Sequence, residues 1–569
     1  MRMPRLVRSL ESAALVVLLL TAPADGQETT RVSVDSSGAE GNSYSADSVI
    51  SADGQIVAFD SGASNLVAGD TNDHYDVFVH DRLTGLTERV SVVDSSSGLH
   101  SSDVQGNSFS YGPALSADAL IVAFSSDASN LVRRDGNGSQ DVFVHDRSTG
   151  LTERVSVDSS GAEGNHVSWN PSISADGQIV AFMSYASNLV AGDTNGHYDV
   201  FVHDRSTGLT ERLSVRSNGS QGNSASYEPS ISADGQIVAF MSYASNLVAG
   251  DTNGHYDVFV HDRSTGLTER VSVHSSGAEA NAGSYDPSIS TDGRIVAFWS
   301  DASNLVAGDT NGVWDAFVHD RSTGITERVS VDSSGAEGDG DSGFPAISAD
   351  GQIVAFVSFA SNLVAGDTTG FNDVFVHDRA TSLTERISVD SSGAGGDSDS
   401  GESPGASISA DGQIVAFQSY ASNLVAGDTN GFGDVFVHER CASDATWTNY
   451  GAGFPGTNGV PSFTSEADPV LGTTLTLDLD NSYGASTAGL LFVGFQRTQI
   501  DSSWGGDLLV VPVLKLVVAL PPAGTTFTGD IPIDPSLCGF TIDMQAIELD
   551  PGAAKGVSFT AGLELLLGH

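Results

Sequence analysis

Apolar residues occur along this chain in short runs that return at a fixed spacing. In the stretch Ser174 to Val215, the run Gln178-Ile-Val-Ala-Phe182 follows an Asp176-Gly177 turn and gives way to a long polar loop. A run that short between turn residues predicts a strand rather than a helix. Asp199-Val-Phe-Val-His203 predicts another strand, Asp204-Arg-Ser-Thr-Gly208 a hairpin turn, and Leu209 to Val215 the strand after it. With Ser172 to Ser174 leading into the first turn, one copy holds four strands. Ile179, Val180, Ala181 and Phe182 are apolar in succession, which predicts a strand covered on both faces.

The Ser-Ala-Asp (once Ser-Thr-Asp) that opens the copy falls at Ser51, Ser116, Ser174, Ser232, Ser290, Ser348 and Ser409. Four of the six intervals are 58 residues and the others 65 and 61. A period of this size marks a repeat architecture, and four-stranded blades stacked around an axis sandwich each apolar strand between neighbours. The seventh copy stops at Val435-Phe-Val-His-Glu-Arg440, short of its fourth strand. That strand is found at the other end of the chain, where Arg31 to Asn42 reproduces Arg154 to Asn165 ahead of the first Ser-Ala-Asp. The prediction is an all-β fold: a seven-bladed β-propeller over residues 25–440 whose N-terminal strand completes the last blade, followed by a small β-sandwich. Closure of this kind pairs strand edges that would otherwise stand open.

Ser-Ala-Asp-Gly-Gln-Ile-Val-Ala-Phe at the first hairpin and Asp-Val-Phe-Val-His-Asp-Arg-x-Thr-Gly at the second resemble the TolB-like, WD40-like PD40 repeats of exported bacterial proteins. His203-Asp204 stands where WD40 blades end their third strand in Trp-Asp. The resemblance covers the repeat region and implies a propeller; it implies little about activity, because propellers host many. TolB-type propellers are usually six-bladed, with shorter repeats and a separate N-terminal domain, so a role in the Tol system is not carried over.

The flanks have a different character. Arg2, Arg5 and Arg8, the run Ala13 to Leu20 and Ala22-Pro-Ala24 are the parts of a secretory signal peptide, expected over residues 1–24. A retained anchor is the alternative, and no later segment is apolar enough to span a bilayer. From Cys441 the period ends. Leu475 to Leu479 alternates, Gly489 to Gly494 and Leu508 to Leu520 are apolar, and prolines punctuate between them, which predicts the sandwich over residues 441–569. Asp550-Pro-Gly-Ala553 and Val557-Ser-Phe-Thr560 resemble the close of an uncharacterised C-terminal β-domain of large secreted bacterial proteins. The two cysteines of an exported chain, Cys441 and Cys538, are expected to pair, the alternative being two free thiols. A formal charge of -48, with lysine only at Lys515 and Lys555, argues against nucleic acid and anionic membrane as partners.

Antiparallel strands sort the loops onto two faces. Ser184 to His197 within a blade and Asp158 to Asn165 between blades fall on the same face, where a ligand is expected. Asp193, Asn195 and Asp199 form D-x-N-G-x-x-D, which recurs at Asp251, Asn253 and Asp257. Its carboxylate and amide spacing also occurs at Asp70, Asn72 and Asp76; Asp135, Asn137 and Asp141; Asp309, Asn311 and Asp315; and Asp428, Asn430 and Asp434. The sixth repeat has Asp367 and Asp373 with Thr369 between them, and the first has Asp73 in place of glycine. Alternate oxygens resemble the start of a calcium loop, although no bidentate glutamate closes it. The competing reading is an Asx turn whose side chains satisfy loop amides.

Aromatic residues follow in the same loop at Tyr75, Tyr198, Tyr256, Trp314, Phe371 and Phe432, with Gln140 the exception. They fit either a carbohydrate surface or packing between blades. His80, His145, His203, His261, His319, His377 and His438 recur sevenfold, which points to architecture and to a hydrogen bond into the next hairpin rather than to catalysis. Gly340-Asp-Ser-Gly343 lies in a low-complexity blade-to-blade loop, no G-x-S-x-G elbow follows the propeller, and Ser-Ala-Asp-Gly is one residue short of a sialidase Asp box. The expectation is an exported monomer (extracellular, at the cell surface or periplasmic) that binds protein or carbohydrate and is not an enzyme. No cofactor is expected beyond the calcium just weighed. A hydrolase or lyase working in the central channel is the alternative, which a pocket lined by unlike residues from different blades would favour.

Overall fold

The computed structural model describes residues 28–94, 104–367, 370–401, 405–440, 445–470, 473–531 and 539–568. The expected signal segment and both cysteines of the expected disulfide lie outside them. Two compact units result, Glu28–Glu439 and a C-terminal unit from Arg440. Among the described residues every regular element is a β-strand, and no helix is long and apolar enough to cross a membrane.

The first unit contains seven four-stranded antiparallel sheets. In the third blade the strands are Ser168–Ile173, Ile179–Ser184, Asp199–Asp204 and Leu209–Arg212. Val180, Ala181 and Phe182 are fully buried, because successive side chains of the second strand enter different interfaces. Ile179 and Ala181, with Val200 and Val202, pack on Val238, Phe240 and Phe259 of the fourth blade. Val180 and Phe182, with Phe201, pack on Ala123, Val142 and Val144 of the second. Each interface thus sets small residues against a phenylalanine pair such as Phe182 and Phe201, stacked 6.0 Å apart. First strands of successive blades touch all the way round, the seventh against the first, so they enclose the axis.

Two strands differ in extent from the sequence reading. The first begins four residues earlier than Ser172 because a bulge carries it: pairing shifts between Trp169 and Ser172, and Asn170 sits between them at φ 54. The fourth ends at Arg212 rather than Val215, because Ser214 turns its hydroxyl onto Asp199 and Val215 bridges to Gln221.

The ring closes as expected, through Thr29–Arg31. Thr29, Thr30 and Arg31 pair with His438, Val437 and Phe436 on the seventh blade. The closure also carries a compensation. In internal blades the hairpin arginine reaches the glutamate of the preceding fourth strand, as Arg205 does to Glu153 at 2.6 Å and Arg263 to Glu211 at 2.5 Å. The closing strand has Thr30 at that position. Arg82 pairs instead with Glu439, which replaces the aspartate of the other blades. Asp204 caps the turn to the fourth strand by accepting from the amides of Ser206 and Thr207. The seventh blade has no such turn, so position 439 is free to carry a longer acid.

The histidines act within their own blade rather than reaching the next hairpin. His203 Nδ1 lies 2.9 Å from Thr210 Oγ1 of the fourth strand, and it is Thr210 that donates onward, to the Val157 carbonyl of the preceding blade at 2.5 Å. Thr29 plays this part for His438, donating to the Val389 carbonyl.

In the C-terminal unit a six-stranded sheet and the three-stranded sheet of Phe463–Ser465, Thr474–Leu479 and Thr525–Asp530 share one core. Leu475, Leu477 and Leu479 are buried on alternate positions, as a half-covered strand requires. The apolar run Leu508 to Leu520 is two strands, Asp507–Val510 and Leu514–Leu520, because Pro512 interrupts it.

Candidate functional site

The second strand of each blade runs out into the long loop, and the first strand begins after the blade-to-blade loop. Their ends therefore meet at one mouth of the axial channel, the face on which the long loops lie.

The acidic loops on that face are brought together as predicted, each around an arginine of its own blade. Arg212 lies 3.1 Å from Asp193 and 3.5 Å from Asp199. Asn195 donates its amide to Asp199 at 2.8 Å and to the Gly222 carbonyl at 3.2 Å, while its oxygen accepts from the His197 amide at 3.0 Å. Ser214 donates to the second oxygen of Asp199 at 2.5 Å. In the fourth blade Arg270 holds Asp251 at 3.5 Å and Asp257 at 3.2 Å, and Asn253 donates to Asp257 at 2.9 Å. Burial raises the carboxyls of Asp193, Asp199 and Asp257, and pushes Asp251 up to about 6. The one cluster of three carboxylates with metal-like spacing among the described residues, Glu40, Asp428 and Asp434, surrounds Arg31 in the same way, at 2.8, 3.5 and 3.3 Å. The guanidinium lies between the two carboxylates of each loop, and the asparagine nitrogen donates to the second of them. The Asx-turn reading accounts for these contacts.

The loop aromatics both pack between blades and stay partly exposed. Tyr198 lies 5.1 Å from Tyr185 and 5.4 Å from Tyr227 of the next blade; Tyr256 lies 5.1 Å from Tyr243 and 5.8 Å from Tyr285. Tyr285 stacks at 4.4 Å on Trp299, which meets Trp314 at 4.8 Å. The rings form a continuous arc from blade three to blade five. Phe371 and Phe432 are one residue out of register with it: they occupy the position of His197, and Asn372 and Gly433 stand where Tyr198 does.

The sequence reading missed the residues at the axis. At the bulge of each first strand, a position with left-handed φ, stand Asp47, Gly112, Asn170, Glu228, Asp286 and Phe344 in blades one to six. At the last-but-one position of the second strand stand Asp60, Ser125, Met183, Met241, Trp299, Val357 and Gln418. Asp47 and Asp60 are hydrogen-bonded carboxyl to carboxyl, and burial and mutual repulsion hold Asp60 well above the usual range. The Gly112 amide donates to Asp60 at 3.3 Å. Asn170 donates to Glu228, whose burial beside Asp286 pushes it up to about 7. Trp299 donates from its indole nitrogen to Asp286 at 2.9 Å. The signal was present: among near-identical copies, these are columns that vary.

The molecule is a seven-bladed β-propeller, and its channel mouth breaks the symmetry of its rim. No protein-family profile and no curated protein matches the chain. Among solved structures it is similar to a TolB of Agrobacterium tumefaciens (17% identity over 48% of this chain and 78% of that one, TM-score 0.31). It is also similar to the WD40 repeats of RRP9 (9%, 74% and 99%, TM-score 0.34). A third is the extracellular domain of a hybrid two-component system of B. thetaiotaomicron (12%, 80% and 46%, TM-score 0.34).

Proposed function

We propose that this is an exported binding propeller that takes a carbohydrate chain at the channel mouth on its long-loop face. The observation that carries the reading is the arc of rings from Tyr185 to Trp314, which keeps open faces: Tyr243 is 47% and Trp314 45% exposed. Flat apolar rings beside carboxylates and amides match the two surfaces of a sugar, its axial C–H face and its hydroxyl edge. The test is glycan-array and calorimetric binding by the full chain and by Tyr198→Ala with Tyr256→Ala. Loss of binding in the double variant supports the reading, and retained binding overturns it.

The axial ring favours a second reading, a glycan hydrolase. Unlike groups from different blades converge there, and Glu228 lies near neutrality, where a carboxyl can serve as a general acid. New reducing ends from a bound polysaccharide, abolished by Glu228→Gln, would establish it; intact polysaccharide after long incubation would exclude it.

A further inference from the structure

The two acidic zones of the long-loop face differ in one respect. Every rim loop is held by an arginine of the fourth strand of its blade, whereas no first or second strand of any blade contains a lysine or arginine. Among the described residues no basic side chain pairs with Asp47, Asp60, Glu228 or Asp286, so these carboxylates are withdrawn from water without a cation of the protein's own. Buried charge is ordinarily paired.

A second observation places a ligand there. Gln418 occupies in blade seven the second-strand position that is Asp60 in blade one and Trp299 in blade five, the latter reaching the bulge at Asp286. It is 3% exposed, and neither its oxygen nor its nitrogen has a hydrogen-bond partner. Its nitrogen lies beside Tyr44 and Gly433, and its strand packs on the first strand of blade one, which carries Asp47. A buried amide left without partners is destabilising, a cost that a ligand able to donate and accept would remove.

The surroundings select the ligand's chemistry. Tyr44 and Tyr420 lie 5.8 Å apart, and burial raises the hydroxyls of Tyr75 and Tyr111, with Asp60 adding to it in both and Asp127 adding more in Tyr111. Carboxylates within a group of aromatic rings are the setting in which an organic ammonium is held, by charge-assisted hydrogen bonds and by the ring faces. A hard metal ion wants six to eight oxygens, and among the described residues the axial carboxylates make no cluster of three.

We propose that the channel mouth binds a sugar bearing a free ammonium group, a 2-amino-2-deoxy sugar of the kind found in de-N-acetylated chito-oligosaccharides, with the ammonium held by Asp47, Asp60 and Gln418. The proposal rests on the carbohydrate reading, supplied by the arc of rings over blades three to five on the same face. N-acetylation would remove the charge and add bulk at the atom the carboxylates face.

The experiment titrates the full chain with hexa-glucosamine, its N-acetylated counterpart and cellohexaose, by calorimetry and by the fluorescence of the mouth tryptophans. A salt concentration of about 0.5 M screens exposed charge beyond a few ångströms and removes indiscriminate attraction to an acidic protein. Hexa-glucosamine is expected to bind at least about tenfold more tightly than the other two, the effect of one charge-assisted hydrogen bond. Asp47→Asn with Asp60→Asn is expected to erase that preference; asparagine already stands in the left-handed bulge of blade three, so the backbone accepts it. Gln418→Met, which removes only an unpartnered amide, is expected to weaken hexa-glucosamine severalfold with the melting temperature unchanged or raised. Equal binding of all three sugars, a preference untouched by both variants, or equal competition by spermine overturns the proposal. Binding of cellohexaose without hexa-glucosamine overturns it and leaves the carbohydrate reading standing, whereas binding of none overturns both.

Discussion

Replacing Arg212 by alanine removes the guanidinium that stands between Asp193 and Asp199. All three side chains are withdrawn from solvent, with Arg212 9%, Asp193 6% and Asp199 0% exposed. Deleting one partner of a buried ion pair leaves its carboxylates uncompensated, a loss of about 3 kcal/mol or more. For a unit of about 400 residues that melts cooperatively, the unfolding entropy converts this loss into a drop of about 4 °C in Tm. Differential scanning calorimetry reads such a change easily. Calcium sharpens the test, because the variant leaves two carboxylates and an amide that can turn its oxygen inward, a partial set of hard-cation ligands. Millimolar calcium is expected to recover part of the loss in Arg212→Ala and to leave the unaltered protein where chelator leaves it. If the unaltered protein gains several degrees with calcium, or the variant melts with it, the guanidinium is not the resident cation and the argument fails.

The pH dependence of stability follows from two populations of carboxyls. Burial raises the rim and axial acids, with Asp135, Asp251 and Asp373 at about 6 and Glu228 at about 7. A folded value above the unfolded one means that the folded state binds the proton more tightly, so their contribution favours folding below about pH 4 and is lost as pH rises towards 6 or 7. The turn caps Asp53, Asp158 and Asp204 are lowered, chiefly by hydroxyl and amide donors in spite of desolvation, and their stabilisation is lost as pH falls below about 4. Melting temperature is therefore expected to peak near pH 4 to 5; a maximum above pH 7 would contradict the burial argument. Deleting residues 28–35 removes the closing strand and exposes the edge of Asp434–Glu439. Chromatography and limited proteolysis are expected to show association and cleavage in the seventh blade, and an unaltered monomer would show that the ring holds without closure.

The blades were legible because burial repeats. Ile179 to Phe182 fixes a doubly covered strand, and Arg31 to Asn42 identifies the strand missing from the seventh copy. Strand limits were less so, since the bulge at Asn170 and the turn-in of Ser214 depend on contacts that spacing does not encode. The role of Arg212 was hidden for a related reason: it lies in the fourth strand, outside the loop motif, and joins Asp193 only when the hairpin folds back. The axial acids escaped because attention went to columns that recur, such as His203, while Asp47, Asn170, Glu228 and Asp286 belong to a column that does not. In a chain built of copies, identity marks scaffold, and difference marks where the scaffold has been put to separate use.

Glu439 gives the ring an address. Any other hairpin could serve as the break in a rearranged gene, but a chain opened at Gly208 would carry its old seam as an internal joint, with Thr30 facing Arg82 and the longer acid where a turn now needs a cap. Moving the break means moving that pair of residues with it, so the place of the closing strand is written into the blade it completes.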